Sequence, residues 1–310
     1  MIGLVLNPNA HYVRKRPQLG EHLRRIAAGR AVIAETRTPD ELDQVARDFA
    51  SREIELVAIC GGDGTNLATL TALARAYGRD RLPTVAMLRG GTVNTVAANL
   101  RVRGTPEQIL DRLFKKLDAG ELPERGQDLL EVNGMLGFLF AAAMGARFLE
   151  AYYGGPYKGV AWAALLASRT AFSSLTTGNF ARWLFAPVPL ELDIDGQRID
   201  RVRAPRLLLA STVPDVGIGM KVTWQAGRQP NRFHLVASNL PTVKMALQLH
   251  RVLSGRPLAG GTTEAPHLDV LAQSARIRFA EPESFTLDGD LFKEREVTIA
   301  VGPRVMVARP

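Results

Sequence analysis

The sequence predicts two parts, an N-terminal open α/β domain followed by an all-β, sandwich-like domain. In the first part, short apolar strands alternate with segments of helical periodicity, which is typical of a parallel sheet flanked by helices. Two of these strands end in glycine turns that lead directly into helices. In the second part, short strands recur between turn signals such as Asp195-Gly196, which is typical of an all-β domain.

The domain boundaries are expected where this pattern changes. Residues 1–122 should form the α/β domain, with about residues 302–310 returning to it, and residues 123–301 the β-rich domain. Helical insertions are predicted at Tyr152–Arg182 and from Thr242 to about Leu253. The strands of the β-rich domain are predicted at Asp128–Val132, Gly137–Ala142, Leu190–Ile194, Leu207–Ala210, Lys221–Trp224, Phe233–Val236, Ala275–Phe279, Phe285–Leu287 and Val297–Val301.

Composition limits the partners and the compartment. The net charge is +8, with 39 Lys and Arg against 31 Asp and Glu, which favours anionic partners. No basic cluster alternates with exposed aromatics as in single-strand binders, so we expect no nucleic acid. The one cysteine, Cys60, excludes an internal disulfide and is expected in the core. Without a signal peptide or an apolar run of spanning length, we expect a cytoplasmic protein with peripheral membrane contact.

The first glycine turn is the most informative stretch of the chain. A buried strand is predicted from Ile54 to Cys60, and a helix follows the turn immediately. Free N–H groups at the start of a helix can hold a phosphate, and Gly64 is expected to need a positive φ there. A tight turn without a ligand is the alternative. Asp63 favours the phosphate, because a carboxylate there would repel an anion unless a cation lay between them.

A second glycine turn follows the fourth predicted strand, Thr84–Leu88, and again leads into a helix. The first strand, Ile2–Leu6, ends in Asn7-Pro8-Asn9, which places the amide of Asn7 at its carboxyl end. Because carboxyl ends of parallel strands meet at one edge of an open sheet, we expect these turns to form one nucleotide site. The predicted cofactor-binding residues are Asn7, Thr36, Gly61, Gly62, Asp63, Gly64, Thr65, Gly90, Gly91, Thr92 and Asn94.

Over nearly its whole length the chain resembles the diacylglycerol-kinase-type lipid kinases, the family that includes sphingosine kinases and bacterial lipid kinases. NAD kinases share GGDGT and, more distantly, so do phosphofructokinases, so that loop alone does not separate the branches. The motifs that carry the resemblance are Asn7-Pro8, GGDGT at 61–65, GGTVN at 90–94, Gln127-Asp128-Leu129 before a VNG hairpin, and Leu287-Asp288-Gly289-Asp290.

The resemblance implies specific roles for these residues. In that family the glycine turns bind ATP, and the residues matching Asp63 and Asp128 belong to a water-mediated Mg²⁺ network. The residue matching Asp288 is the base that accepts the proton of the lipid hydroxyl. Asp290 replaces the usual Glu of the motif, which could shift an orienting hydrogen bond. Without the resemblance, Asp288-Gly289-Asp290 would be interpreted as a plain hairpin turn.

Two departures from the family pattern affect the expected metal sites. Thr95 stands where the family often has Asp, which removes one carboxylate from the expected Mg²⁺ network. Sphingosine-kinase-like members also lack that Asp, so the change need not abolish activity. Asn231-Arg232 stands where many bacterial members have the Asp-Gly of a structural Mg²⁺ site, and we expect no such site here.

The predicted function is an ATP-dependent lipid kinase that phosphorylates a lipid alcohol of the diacylglycerol or long-chain-base class. The alternatives are an NAD kinase and a catalytically weakened lipid- or nucleotide-binding protein. No motif identifies the lipid, and the oligomeric state stays open, with a homodimer as one option. The aromatic and basic residues of Tyr152–Arg182 predict either a contact with an anionic membrane or a layer packed in the core.

Overall fold

The computed structural model describes residues 1–157, 159–173 and 178–310, and of Ala171 only the backbone. Lys158, which belongs to the predicted membrane-contacting segment, lies outside the described residues, as do residues 174–177. The chain divides into two compact units. Unit 1 consists of Met1–Leu129, Gly134–Gly137 and Pro303–Pro310, and unit 2 of Leu130–Asn133 and Phe138–Gly302.

Unit 1 alternates strands and helices. Its elements are β1 (Ile2–Leu6), α1 (His11–Arg14), α2 (Leu19–Ala27), β2 (Ala31–Glu35), α3 (Pro39–Ser51), β3 (Leu56–Cys60), α4 (Asp63–Tyr77), β4 (Thr84–Met87), α5 (Thr95–Asn99) and α6 (Pro106–Asp118). Strand β5 (Glu124–Val132) leads into unit 2, and β6 (Met135–Gly137) belongs to unit 1.

The sheet of unit 1 is parallel, in the order β4-β3-β1-β2. Strands β1 and β3 are buried along their whole length, which explains their continuous apolar sequences. Helix ends follow local sequence signals. Thr38 caps α3 just before Pro39, and Thr105 forms a capping box with Gln108 at the start of α6.

Unit 2 is built on antiparallel strands with helices between them. Its elements are β7 (Leu139–Ala143), α7 (Met144–Gly154), α8 (Val160–Ser173), α9 (Asn179–Leu184), β8 (Leu190–Ile194), β9 (Gln197–Arg198), β10 (Leu207–Ser211), β11 (Phe233–Ser238), α10 (Thr242–Leu247), α11 (Leu249–Leu253), β12 (His267–Ala272), β13 (Ser274–Leu287) and β14 (Asp290–Ala308). The last residues of β14 belong to unit 1.

The strand order in unit 2 is β12-β11-β10-β7-β13-β14. The long strand β13 also pairs with β8 through its first half and with β7 through its second half. A register shift between Arg278 and Glu283 separates these halves. Phe140 and Phe285, whose ring centroids are 5.5 Å apart, belong to the buried core of this unit.

The predicted fold class is confirmed, with an N-terminal α/β part followed by a β-rich part. One predicted strand is wrong, because Lys221–Trp224 lies in turns. Side chains of this segment make hydrogen bonds to groups outside any strand pairing. The Thr223 hydroxyl donates to the Val213 carbonyl at 2.9 Å, and the Trp224 indole donates to the Asp269 side chain at 3.1 Å. None of the described helices is long and apolar enough to cross a membrane.

Candidate functional site

The first glycine turn presents the N-terminus of a long helix. Strand β3 ends at Cys60, and the 15-residue helix α4 begins at Asp63, with Gly62 as its N-cap. The first intrahelical bond runs from the N–H of Asn66 to the carbonyl of Gly62 at 3.0 Å. The N–H groups of residues 63–65 therefore precede the helical ladder, and Gly62 has no side chain to cap them. This arrangement suits an anion such as phosphate.

The two glycine turns pack backbone against backbone. A Cβ on Gly91 would lie 2.4 Å from the Cα of Gly62, and a Cβ on Gly90 would lie 2.8 Å from the backbone nitrogen of Gly61. Glycine is therefore required here because the two turns touch. The expectation of a positive φ at Gly64 is wrong, because Gly64 lies in the first turn of α4 with a helical backbone.

Asp63 links the two turns. Its carboxylate accepts hydrogen bonds from the backbone N–H groups of Thr95 at 2.9 Å and Val96 at 3.1 Å, at the start of α5. The Asn94 side chain closes the second turn, since it accepts from the N–H of Gly91 at 2.9 Å and donates to the Gly91 carbonyl at 3.0 Å. Both side chains hold the turns in place.

Asn7 contacts the first glycine turn from β1. Its amide donates to the Thr65 hydroxyl at 2.9 Å, and its carbonyl oxygen accepts from the N–H of Asn9 at 2.9 Å. The N–H of Tyr12 donates to the Gly90 carbonyl at 3.2 Å, which attaches α1 to the second turn. Thr36, another predicted ligand, is buried directly after β2. Asn7 and Tyr12 thus support the turns, and the cations Arg14, Lys15 and Arg16 lie at the end of α1 and just after it.

Asp128, also in unit 1, is paired with a cation that the sequence did not single out. Arg304 donates to the Asp128 carboxylate at 2.8 Å and to the Gly126 carbonyl at 3.1 Å. A Cβ on Gly126 would lie 2.4 Å from Nε of Arg304, so glycine makes room for the guanidinium. The expected return of the last residues to the first domain was the one signal that could have pointed to Arg304.

The acidic residues suit Mg²⁺ held through water better than a direct metal cage. Within the part of the chain that the structure describes, no three His, Cys, Asp or Glu side chains are grouped to hold a metal. The N–H groups of Thr95 and Val96 hold the Asp63 carboxylate in a fixed position. Mg²⁺ usually keeps several waters and takes one or two carboxylates plus substrate phosphates, so Asp63 fits such a site.

In unit 2, Asp288 occupies the two-residue turn between β13 and β14. Asp288 and Gly289 have φ values of +48° and +92°, as a tight hairpin turn requires. The buried carboxylate accepts from the N–H of Leu139 at 2.9 Å and from that of Phe138 at 3.0 Å and 3.1 Å. The backbone at the start of β7 therefore fixes the position of this carboxylate.

Asp290 directly follows this turn, and Tyr153 binds the turn's backbone. The Tyr153 hydroxyl donates to the Gly289 carbonyl at 2.8 Å, a contact that the sequence did not predict. Asp290 is accessible to solvent, yet desolvation by the surrounding protein raises the pKa of its carboxyl. The two candidate catalytic carboxylates thus differ, since Asp288 is buried and Asp290 is open to solvent.

The same local structure occurs at a second turn in unit 2. Asp195 and Gly196 have φ values of +48° and +78°, and the Asp195 carboxylate accepts from the N–H groups of Gln273 at 2.9 Å and Ser274 at 2.8 Å. Asp195 is exposed, whereas Asp288 is 4% exposed. An Asp-Gly turn whose carboxylate accepts from two backbone N–H groups therefore occurs at more than one place in this chain. This local structure identifies no catalytic residue by itself.

The part of the chain that contains both glycine turns is similar to a known protein family. Residues 1–121 match the family model of the diacylglycerol kinase catalytic domain. The resemblance to diacylglycerol-kinase-type proteins that the motifs predicted is confirmed for these residues. Both glycine turns lie inside the match to the diacylglycerol kinase domain, while Asp128, Asp288 and Asp290 lie beyond it. A search of the curated proteins found no match.

Solved structures share the fold of the whole chain. A crystal structure of a diacylglycerol kinase from Bacillus anthracis str. Sterne matches with a TM-score of 0.65 and 17% identity, covering 100% of this chain and 96% of that one. Two further structures from the same organism match with TM-scores of 0.71 and 0.70, at 17% and 16% identity. Both cover 100% of this chain, and 96% and 97% of their own. At these identities the likeness concerns the fold.

Proposed function

We propose that the chain is an ATP- and Mg²⁺-dependent lipid kinase that phosphorylates a lipid alcohol of the diacylglycerol or long-chain-base class. The observation that carries the proposal is the packed pair of glycine turns at the start of α4, inside the region that matches the diacylglycerol kinase domain. Neither turn has the sequence of another phosphate-binding loop, such as GxxxxGK[ST].

In this proposal unit 1 binds the nucleotide. The N–H groups of residues 63–65, which precede the first intrahelical bond, hold a phosphate at the positive end of the α4 dipole. Asn94 and Asn7 maintain the turns through their contacts with Gly91 and Thr65. The cations at the end of α1 and just after it add a positive potential, since α1 is bonded to the second turn through Tyr12. Thr36 and Thr92 remain proposed contacts of the nucleotide.

Asp63 and Asp128 would hold Mg²⁺ through water. When bound, Mg²⁺ neutralises charge on the β- and γ-phosphates, which lowers the barrier to phosphoryl transfer. Arg304 fixes the carboxylate of Asp128, and the start of α5 fixes that of Asp63. Their rigid positions limit the reorganisation that metal binding would otherwise require.

Unit 2 supplies the base. The carboxylate of Asp288 accepts the proton of the lipid hydroxyl as its oxygen attacks the γ-phosphorus. The bond from the γ-phosphorus to the bridging oxygen breaks, and that oxygen leaves on ADP. The N–H groups of Phe138 and Leu139 hold the carboxylate in one orientation. Asp290, two residues further along, would orient the hydroxyl.

A second candidate is a nucleotide-binding protein with weak or no transfer. Two observations favour it: Thr95 replaces a carboxylate of the family pattern, and an equivalent clasped Asp-Gly turn exists at Asp195. An NAD kinase would use the same first turn but would phosphorylate a soluble nucleotide instead of a lipid. The acceptor therefore distinguishes the three candidates.

Access to the lipid is proposed to involve the helices α7–α9, with the protein in the cytoplasm and peripherally attached to membrane. Tyr157 and Phe172 are 68% and 70% exposed, whereas Tyr152 and Leu166 are buried. Arg169 lies over the Phe180 ring, 4.2 Å from its centroid. The segment is thus amphipathic, with one face in the core and one face free for an anionic surface.

The test is an assay with ATP labelled at the γ-phosphate and a panel of acceptors. Diacylglycerol, a long-chain base and other lipid alcohols are offered in mixed micelles, and NAD is offered in solution. We expect label in one lipid class, with Mg²⁺ required. Label in NAD alone would select the NAD kinase, and nucleotide binding without any labelled product would select the binding protein.

A further inference from the structure

The positive charge of the chain is concentrated in two segments of unit 2. Residues 151–190 contain three Lys or Arg residues, residues 216–263 contain six, and neither segment contains an Asp or Glu. The rest of the chain carries 30 Lys and Arg against 31 Asp and Glu. The whole net charge of +8 therefore arises from these two acid-free segments.

The same segments carry most of the exposed large apolar side chains. Of the thirteen such side chains among the described residues, ten lie in them. Six belong to the region of α7–α9 treated above. The other four lie on α10 and α11, namely Val243 at 42%, Leu247 at 70%, Leu249 at 38% and Leu253 at 48% exposure. The same two segments thus carry both the excess cations and most of the exposed large apolar side chains, which is unusual for a surface that faces only water.

The exposed leucines of α10 and α11 are presented by an anchored structure. Gln248, between the two helices, is buried and donates to the carbonyls of Lys244 and Ala259 at 3.1 Å and 3.0 Å. Val252 is buried one residue before the exposed Leu253. Met245 packs against the α9 cluster formed by Ala181, Leu184 and Phe185. The exposure of Leu247 and Leu253 is therefore a property of the folded unit.

We propose that α10–α11 is an apolar anchor that inserts its exposed leucines into an anionic bilayer, flanked by Lys244 and Arg256. This proposal rests on the proposed function, since a lipid kinase must bind its substrate at a bilayer. Charge favours a bilayer over a second copy of this chain. A symmetric dimer through this face would bring two acid-free cationic surfaces together, whereas anionic head groups neutralise them.

The apolar part is tested with the double variant Leu247→Ser, Leu253→Ser. Its binding is measured by sedimentation with vesicles of phosphatidylcholine containing phosphatidylglycerol, without nucleotide or substrate. Removing two inserted leucines should weaken vesicle binding by about tenfold or more. Met306→Ser is the matched control, because Met306 is a 40% exposed apolar residue of unit 1. It should bind as the unaltered protein does.

The charged part is tested with Lys244→Glu and Arg256→Glu combined. Reversing two cations near the surface should weaken binding to the anionic vesicles by on the order of tenfold or more, and added salt should shrink the difference. Arg47→Glu is the control, since Arg47 is an exposed cation of α3 in unit 1 whose side chain donates to Gln44. If the Leu247→Ser, Leu253→Ser variant fails to fold, the comparison of the Lys244→Glu, Arg256→Glu variant with Arg47→Glu still tests the membrane anchor.

Two results would overturn the anchor. One is unchanged binding of both double variants to anionic vesicles. The other is a chain that is dimeric until Leu247 and Leu253 are replaced, with vesicle binding unaffected, which would assign the face to a second copy. Failure of the proposed function looks different, because vesicle binding would persist in a protein that labels no lipid. Activity toward a short-chain, water-soluble acceptor should be unchanged in the Leu variant.

Discussion

The carboxylate of Asp63 accepts a hydrogen bond of 2.9 Å from the backbone N–H of Thr95, the first residue of α5. Its other oxygen accepts from Val96 at 3.1 Å. One side chain of the first glycine turn therefore caps the helix that follows the second turn, and its negative charge lies at the positive end of that helix. Asp63 thus has a structural role in addition to its proposed role near Mg²⁺.

Asp63→Ala should lower both stability and nucleotide affinity. The change leaves two N–H groups of α5 without an acceptor, so we expect a loss of about 1–2 kcal/mol in the free energy of unfolding. Urea titration measures the first effect, and calorimetry with Mg-ATP the second. Asp111→Ala is the control, an exposed acid paired with Lys115 at 2.8 Å, and should cost less than about 0.5 kcal/mol. Equal results for the two variants would remove Asp63 from the site.

Thr95→Asp should make nucleotide binding depend more strongly on Mg²⁺. The N–H of residue 95 donates to Asp63, so a carboxylate at this position would add negative charge close to an existing one. Without a cation the two charges repel each other, and with one they share it. Titration of nucleotide affinity against Mg²⁺ should therefore show a steeper dependence in the variant. An unchanged dependence on Mg²⁺ would mean that the metal does not bind near Asp63 and residue 95.

Gly91→Ala should push the two glycine turns apart. The new Cβ would lie 2.4 Å from the Cα of Gly62, and a backbone atom cannot move aside as a flexible side chain can. We expect a destabilisation of about 1–3 kcal/mol and a loss of Mg-ATP affinity. Gly154→Ala is the matched control, because a Cβ there meets nothing within 4 Å. Normal nucleotide affinity in the Gly91 variant would mean that the packed turns do not bind it.

Asp288→Asn should reduce turnover by about 10²-fold or more while nucleotide affinity is kept. The amide oxygen can take the place of Oδ1 and still accept from Phe138 and Leu139, so the turn should fold, although the bond from Phe138 to Oδ2 is lost and some stability with it. Asp195→Asn removes the charge from the equivalent turn and should leave turnover normal. If both variants lose the same stability and neither loses turnover, Asp288 is only a turn residue.

Cys60 should resist thiol reagents in the folded protein. The residue is buried at the end of β3, and burial raises the pKa of its thiol from 9.0 to about 12. Since the thiolate reacts, the folded protein at pH 8 should hold about a thousandfold fewer thiolates than the unfolded chain. Labelling with and without denaturant measures this. Rapid labelling of the folded protein would show that β3 and the first turn open readily.

The same shift gives the sign of a pH effect on stability. The unfolded chain releases the thiol proton at a lower pH than the folded protein does. The contribution of Cys60 is therefore complete below pH 9.0 and is lost as the pH rises toward about 12. Unfolding measured between these pH values should become easier in the natural protein than in Cys60→Ala, after the constant cost of the cavity is subtracted.

Much of the fold could be predicted because local signals and burial agree. The continuous apolar strands before Gly61 and Gly90 predicted the parallel sheet of unit 1, and Asp195-Gly196 predicted a hairpin of unit 2. Lys221–Trp224 was wrong because its alternation resembles a strand, while its side chains bind groups distant in sequence. Such partners cannot be seen in a short window.

The sequence predicted individual residues of the site, but it did not predict the contacts between them. Glycines at 61, 62, 90 and 91 could be assigned to turns, yet their contact with each other depends on how two strands are placed in the sheet. Arg304 and Tyr153 were missed because each is more than a hundred residues from the group that it binds. Only a tertiary structure joins such distant positions.

The most direct test follows the γ-phosphate itself. The protein is incubated with Mg²⁺, mixed micelles of lipid alcohols and ATP labelled either at the γ- or at the α-phosphate, and the lipids are then extracted. We expect γ-label in the extracted lipid, no α-label, and a loss of about 10²-fold in Asp288→Asn but not in Asp195→Asn. Extracts that carry no γ-label, from a protein that binds Mg-ATP normally, would contradict the assignment as a lipid kinase.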